Sequence, residues 1–126
     1  MLSKLDNNFS FFEASFKALS QRQEILSSNI ANESTPNFKA QDFDFKDAIA
    51  DALLSSERFK TSGVTSDNSA SSLSYIYSRK NLAGVDGNSV NIDQERRELA
   101  ENALKYESVV TLAQIDIKNL LNVLQG

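Results

Sequence analysis

The chain has no cysteine and no histidine. That removes disulfides and thiol chemistry, and with them the commonest general bases, nucleophiles and transition-metal ligands. The absence of cysteine leaves the compartment open. Its four glycines form no phosphate-cradling array, which excludes a P-loop or a dinucleotide fingerprint. The serines have no base to activate them. No catalytic residue, cofactor, metal ligand or small-molecule substrate is therefore expected. Basic charge is scarce too: 13 Lys and Arg stand against 17 Asp and Glu, a net charge of −4, without the clustered positive footprint that nucleic acid requires. Of the adjacent basic pairs, Arg79-Lys80 and Arg96-Arg97, the second lies among Glu95, Glu98 and Glu101 and reads as a solvated, mixed-charge helix face. No apolar run approaches the roughly 20 residues that span a bilayer. The start, "MLSKLDNNFSFFEASFK", lacks the basic flank, apolar core and small-residue cleavage site of a secretory signal. A protein that does not span a membrane, and that leaves the cytoplasm, if at all, without a cleavable signal, is expected.

What is present is periodic. Leu2, Leu5, Phe9, Phe12, Phe16, Leu19, Gln23, Leu26 and Ile30 alternate spacings of three and four, the 3.5-residue repeat of a coiled-coil seam. Gln23 is the polar member, either a register-fixing seam residue or an edge residue. The C-terminal stretch repeats the pattern through Leu99, Ala103, Tyr106, Val110, Ala113, Ile117, Leu120 and Leu124. Asn91 with Gln94 three residues on forms a capping box, and Asp93 and Glu95 suit a positive helix start. Val109, Leu112, Ile115, Leu121 and Val123 fall outside that second seam, so the helix is apolar most of the way round and needs partners beyond its own chain.

The fold expected is mainly α in one domain of 126 residues. Residues 1–31 form an N-terminal helix and 91–126 a C-terminal helix, each a rod roughly 40–48 Å long at 1.5 Å per residue, paired as an antiparallel coiled coil. Residues 32–54 hold a turn and a short amphipathic helix, with Asp44 as cap and Phe45, Ile49, Ala52 and Leu53 on one face. Residues 55–90 are polar and serine-rich, a flexible link with one partly β piece in "SLSYIYS". Asp42, Asp44 and Asp47 begin like a calcium loop, but the sixth and twelfth positions from Asp42 are Asp47 and Leu53 instead of the glycine and glutamate such a loop needs. Helix capping accounts for the aspartates better.

Where the first helix stops, the chain reads "SSNIANESTPNFK" and contains its only proline. Asn29, Asn32 and Ser34 are able to satisfy the free carbonyls and amides of a helix exit, and Pro36 holds Thr35 extended. Pro36 and Asn37 suit the centre of a tight turn with Asn37 at positive φ. The turn is either a stable exit alone or one that also touches neighbouring subunits.

"LSSNIANESTPNFKAQDFDF" resembles the N-terminal signature of the flagellar rod and hook protein family, N-[IL]-A-N and then T-P-G-Y. Its members are Asn29, Ile30, Ala31, Asn32, Thr35, Pro36, Asn37 and Phe38. The segments "DGNSVNIDQERRELAENALKYE" and "LAQIDIKNLLNVLQG" are similar to the C-terminal half of a short proximal-rod member. The resemblance covers residues 1–54 and 84–126. Asn37 and Phe38 depart from the family's glycine and tyrosine: the asparagine keeps the turn possible, and the phenylalanine loses a hydroxyl.

The resemblance implies a structural subunit of the bacterial flagellar basal body, a periplasmic rod that transmits torque and surrounds an export channel. It implies copies of itself, other proximal rod proteins, the rod-to-membrane-ring adaptor and the flagellar type III export apparatus as partners. Phe9, Phe12, Phe16, Leu19, Leu26, Leu112, Ile115, Ile117, Leu120, Leu121 and Leu124 are the residues expected to pack helices and subunits. Leu5, Phe9, Phe12 and Phe16 are either a short hydrophobic export signal or simply helix seam. The heptads alone also suit a coiled-coil adaptor unrelated to a rod; the N-I-A-N…T-P-x-[YF] motif favours the rod.

Overall fold

A computed structural model describes residues 2–62 and 75–126; residues 63–74, within the stretch expected to be a flexible link, lie outside the described residues. The elements are α1 (Leu2–Ala31), β1 (Gln41–Phe43), α2 (Phe45–Ser62), β2 (Ile76–Ser78) and α3 (Ile92–Gln125). The 30-residue α1 contains no glycine or proline and no β-branched run, so nothing in it interrupts the helix. It ends where Asn32 N–H donates to Ser28 O and Asn29 O, and Glu33 N–H to Ile30 O. At the start of α3, Gln94 N–H donates to the Asn91 side chain at 3.2 Å, the cap expected there. Asp44 caps α2 through Asp47 N–H at 3.1 Å.

Two boundaries differ from the sequence reading. Helix α2 runs on to Ser62, through residues read as link, because no helix breaker intervenes before Gly63. On its apolar face Phe45, Ile49 and Leu53 are half-buried, but Ala52 is exposed and Ala48 takes its place. The brief strand expected near Tyr77 does form, as β2, and its partner β1 carries no periodic signal of its own. The two pair antiparallel with Asp42 opposite Tyr77, continued by Arg79 N–H to Ala40 O and Asp44 N–H to Tyr75 O. A two-stranded ribbon is marginal alone, and this one is held against α1 by side chains described below.

α1 and α3 pack against each other, α2 packs on α1, and the helix pair is antiparallel as expected. Its seam, however, is rotated. The buried positions of α1 are Phe12, Ser15, Leu19, Arg22, Leu26 and Asn29. Phe12, Leu19 and Leu26 belong to the expected seam. The alternate column is Ser15, Arg22 and Asn29, one residue earlier than Phe16, Gln23 and Ile30. In α3 the same shift occurs: Leu99 is half-buried as expected, but Glu95 and Asn102 are the buried residues, and Ala103 is exposed.

The physical reason is that the polar column is paired across the seam. Asn8 Nδ2 donates to Asp116 at 2.7 Å, and Asn29 Nδ2 to Glu95 at 3.0 Å; the two pairs are 21 residues apart on each helix, three heptads. Between them Asn102 Nδ2 donates to Leu19 O and Gln23 Oε1, both at 3.0 Å. Gln23 is thus an edge residue that reaches over the seam. Turning the helices back to bury Phe16 and Ile30 would break these pairs.

One member of the column is different. The buried Ser15 hydroxyl has no hydrogen-bond partner among the described residues. An unpaired buried hydroxyl contributes desolvation cost without return. Ser15→Ala should therefore be neutral or stabilising by up to about 1 kcal/mol, read from urea unfolding of dilute protein; a clear loss of stability would show that the hydroxyl is bonded.

Candidate interface and its supports

The expected turn is present and has a partner within its own chain. Phe38 N–H donates to Thr35 O at 3.3 Å and Asn37 has φ 62°, which makes Thr35–Phe38 a turn with proline and then a left-handed residue at its centre. Asn32 Nδ2 caps the helix end through Ser28 O at 2.8 Å, and Thr35 Oγ1 donates to Asn32 Oδ1. Asn29 does not serve that end: it is buried, exchanging bonds with Gln41 O and Gln41 N–H, and so fixes β1 against α1. Ile30, Asn32 and Phe38 are half-buried, whereas Ala31, Ser34, Thr35, Pro36 and Asn37 are exposed.

The loop before α3 clasps this turn. Asn88 Nδ2 donates to both Asn32 O and Thr35 O at 2.8 Å. Asn37 N–H reaches Asp86 O, Ser89 N–H reaches Phe38 O, and Lys39 Nζ donates to Gly87 O. Ala40 N–H completes the set by donating to Ser89 Oγ. Gly87 lies at φ +77°, and a Cβ there would sit 2.4 Å from Asn37 Oδ1. Gly87 is thus required by a close approach as well as by its backbone conformation. The "TPN" and "DGNS" segments are two halves of one lock.

Below the lock lies a buried ion network that the sequence reading missed. Arg22 of α1 pairs with Asp42 of β1 at 3.1 Å and with Glu98 of α3 at 2.5 Å. Arg79, just after β2, pairs with the same Asp42 at 2.8 Å and with Glu95 of α3 at 2.7 Å. Glu95 is 0% exposed, so Glu95 and Glu98 belong to the interior side of α3 and not to a solvated mixed-charge face. Burial alone would raise the Asp42 carboxyl; hydrogen bonds from Arg22, Phe43 N–H and Arg79 outweigh it and hold the group below its ordinary value. Burial likewise opposes charge on Arg22, and the bonds to Asp42 and Glu98 outweigh it and raise its pKa. The available signal was the heptad recurrence of polar residues at Asn8, Ser15, Arg22 and Asn29, and at Glu95, Asn102 and Asp116.

The rotation of the seam sorts the remaining apolar residues. On one side of the helix pair, β1, β2 and the ion network cover Arg22, Asn29 and Glu95. On the other side, Phe9, Phe16 and Ile30 of α1 run beside Ala103, Val110, Ile117 and Leu124 of α3, because flanking columns of an antiparallel pair meet like with like. Phe16 and Tyr106 stack there with centroids 5.3 Å apart. A shallow groove of about 370 Å³ opens on this flank, lined by Leu19, Ser20, Gln23, Asn102, Ala103 and Tyr106. Phe9 is 44% exposed, Ile117 45% and Leu124 74%. Leu112, Ile115 and Leu121, on the outer face of α3, are also about half exposed.

The residues assigned to packing therefore divide. Phe12, Leu19 and Leu26 are enclosed within the chain and not available to a neighbour. Phe16 and Leu120 are half-buried. Phe9, Leu112, Ile115, Ile117, Leu121 and Leu124 present apolar surface to solvent, an area of the kind that marks protein contacts. Of the residues read as an export signal, Leu5 and Phe16 are half-buried, Phe12 buried and Phe9 exposed. No described helix is long and apolar enough to cross a membrane.

Asp42→Asn leaves two arginines short of a buried counter-charge and should cost about 3–5 kcal/mol. The lowered Asp42 pKa contributes stability that is present above the unfolded value of about 3.9 and is lost as pH falls through the lower folded value. The variant's unfolding free energy, followed by circular dichroism in urea, should accordingly fall less steeply than wild type as pH drops below about 4. At the lock, Asn37→Val should cost about 1–3 kcal/mol through positive φ at a β-branched residue, while Asn37→Gly stays close to wild type. Equal melting of the valine and glycine variants would contradict the turn geometry.

The family model described as Flagella basal body rod protein matches residues 16–39. The chain is 37% identical to flagellar basal body rod protein FlgB of Buchnera aphidicola subsp. Acyrthosiphon pisum, over 100% of both chains. It is 35% identical to FlgB of Salmonella typhimurium, over 100% of this chain and 99% of the relative. FlgB of Escherichia coli K12 is 32% identical, again over 100% of this chain and 99% of the relative.

Proposed function

The chain belongs to the flagellar basal body rod protein family, and on that premise we propose that it builds the proximal part of the rod, crossing the periplasm as a torque-transmitting wall around an export channel. It is a structural subunit of the bacterial flagellum, and this reading assigns it no catalytic activity. The observation that carries the finer reading is the unmet apolar surface of the helix pair: the flank with Phe9 and Ile117, and the outer face of α3 with Leu112, Ile115 and Leu121. Burying such surface against neighbours supplies about 25 cal/mol per Å² before ordering costs. Side-by-side packing of many helix pairs satisfies every copy in this way, with other proximal rod proteins and the membrane-ring adaptor at the ends of the stack.

The exposed part of the turn, Ser34 to Asn37, faces outward from the lock and is available to touch a neighbouring subunit. Export is assigned to the flagellar type III apparatus, with the chain unfolded. The plain coiled-coil adaptor reading offers no use for a turn clasped so closely to the root of the second helix.

In a strain lacking the native gene, Leu121→Asp should abolish motility and leave no complete rods in electron micrographs of tagged basal bodies, while the protein still leaves the cell. The charge stands at an outer position of α3 and spares the fold. Normal rods carrying Leu121→Asp would remove this face from the assembly. Export is tested separately with a reporter fused to residues 1–40. Leu5→Ala with Phe9→Ala should lower its secretion several-fold; undiminished secretion would assign those residues to the helix seam alone.

A further inference from the structure

Two apolar faces of this molecule point in different directions and differ in charge. The open flank, centred on Phe9, Phe16, Val110 and Ile117, forms a furrow between α1 and α3. The residues bordering it one turn outward are Asp6 and Glu13 on α1 and Glu107 on α3, all exposed. The outer face of α3, centred on Leu112 and Ile115, carries no acidic side chain of its own. Lys118 and Lys105 border it, both exposed. By helical geometry this outer face lies away from the furrow, toward the back of α3.

We propose that the outer face of α3 in one copy of this chain docks in the acidic-bordered furrow of the next copy, placing Leu112 and Ile115 against Phe9 and Ile117, and Lys118 against Glu13. The inference rests on the assembly reading above and adds to it which faces meet. Three observations select a second copy as occupant. The furrow is as wide as two helices and apolar, so it fits a third helix and not an extended polar segment. Its border is acidic, so the incoming helix must be apolar at its centre and basic at its edges. Among the described helices, the outer face of α3 has that composition. Because the two faces are different and lie on different sides, the contact is heterologous. Repeated, it adds subunits in one rotational sense and generates an open helical array, where a self-complementary contact would stop at a dimer.

The absence of native cysteine makes the test direct. Full-length protein carrying Phe9→Cys is mixed with a differently tagged copy carrying Ile115→Cys, at low salt, and oxidised. The mixed dimer should exceed either like-with-like dimer about threefold or more, the margin that one exposed ion pair of favourable geometry confers. Adding Lys118→Glu to the Ile115→Cys copy should reduce the mixed dimer about threefold, and adding Glu13→Lys to the Phe9→Cys copy should restore it. Predominance of like-with-like dimers, a chain that yields no crosslink at high concentration, or indifference to the charge exchange overturns the contact. Failure of the assembly reading is a separate outcome, read from the basal bodies of the Leu121→Asp strain, which are defective whichever faces meet.

Discussion

Asp42 is held by two arginines that come from opposite ends of the middle segment, Arg22 from α1 and Arg79 from the end of β2. Each arginine in turn holds a glutamate of α3. Five side chains thus tie two helices and a ribbon at one place. Buried ions are costly to strip of water, and a network of this kind adds little net stability over an apolar substitute. What it supplies is position. Two long heptad helices can slide by one heptad with modest loss of apolar contact. Such a slide here would leave Arg22 or Glu95 buried without a partner. The pairs Asn8 with Asp116 and Asn29 with Glu95 hold the same register at both ends.

That choice of interior has a consequence at the surface. The interior columns include arginine, asparagine and glutamate, so the fully enclosed apolar core is small: Phe12, Ala18, Leu19 and Leu26 along α1, with Ala40 and Phe43 beside them. The apolar residues that the heptad would otherwise enclose, Phe9, Ile117 and Leu124 among them, are left on an open flank. The middle segment occupies one side of the helix pair and leaves the other free. A subunit organised this way has little stability to draw on alone and much to gain from neighbours, so folding and assembly are thermodynamically linked.

The lock between "TPN" and "DGNS" has a related logic. A chain leaving a 30-residue helix must be aimed, and a type of turn that requires positive φ is specific in direction but adds little energy by itself. Here Asn88 takes up two carbonyls of the turn, and Gly87 lets the two backbones approach closely. The entry to α3 is thereby fixed relative to the exit of α1. The same segment positions Asn91 as cap, so the start of the second rod is set by the end of the first.

The amino-acid sequence alone determined the elements whose causes are local. Helices α1 and α3 follow from period and the absence of breakers. Asn91 and Asp44 were legible as caps, Asn37 as the left-handed turn residue, and "NIAN…TPNF" as the mark of a rod family. Period also showed that α3 is too apolar to stand alone. It could not choose which of two adjacent columns would face the partner helix, because Phe16, Gln23 and Ile30 fit the 3.5-residue repeat as well as Ser15, Arg22 and Asn29 do. Apolar spacing favours the first set. The second won because its hydrogen bonds and ion pairs lie in residues 20 to 108 positions away, on β1, α3 and the approach to α3, where no local rule places them. Burial of Glu95, the need for glycine at position 87 and the existence of one open flank were all decided by the tertiary structure: each depends on which distant group arrives beside it, and that is fixed only when the two helices have docked.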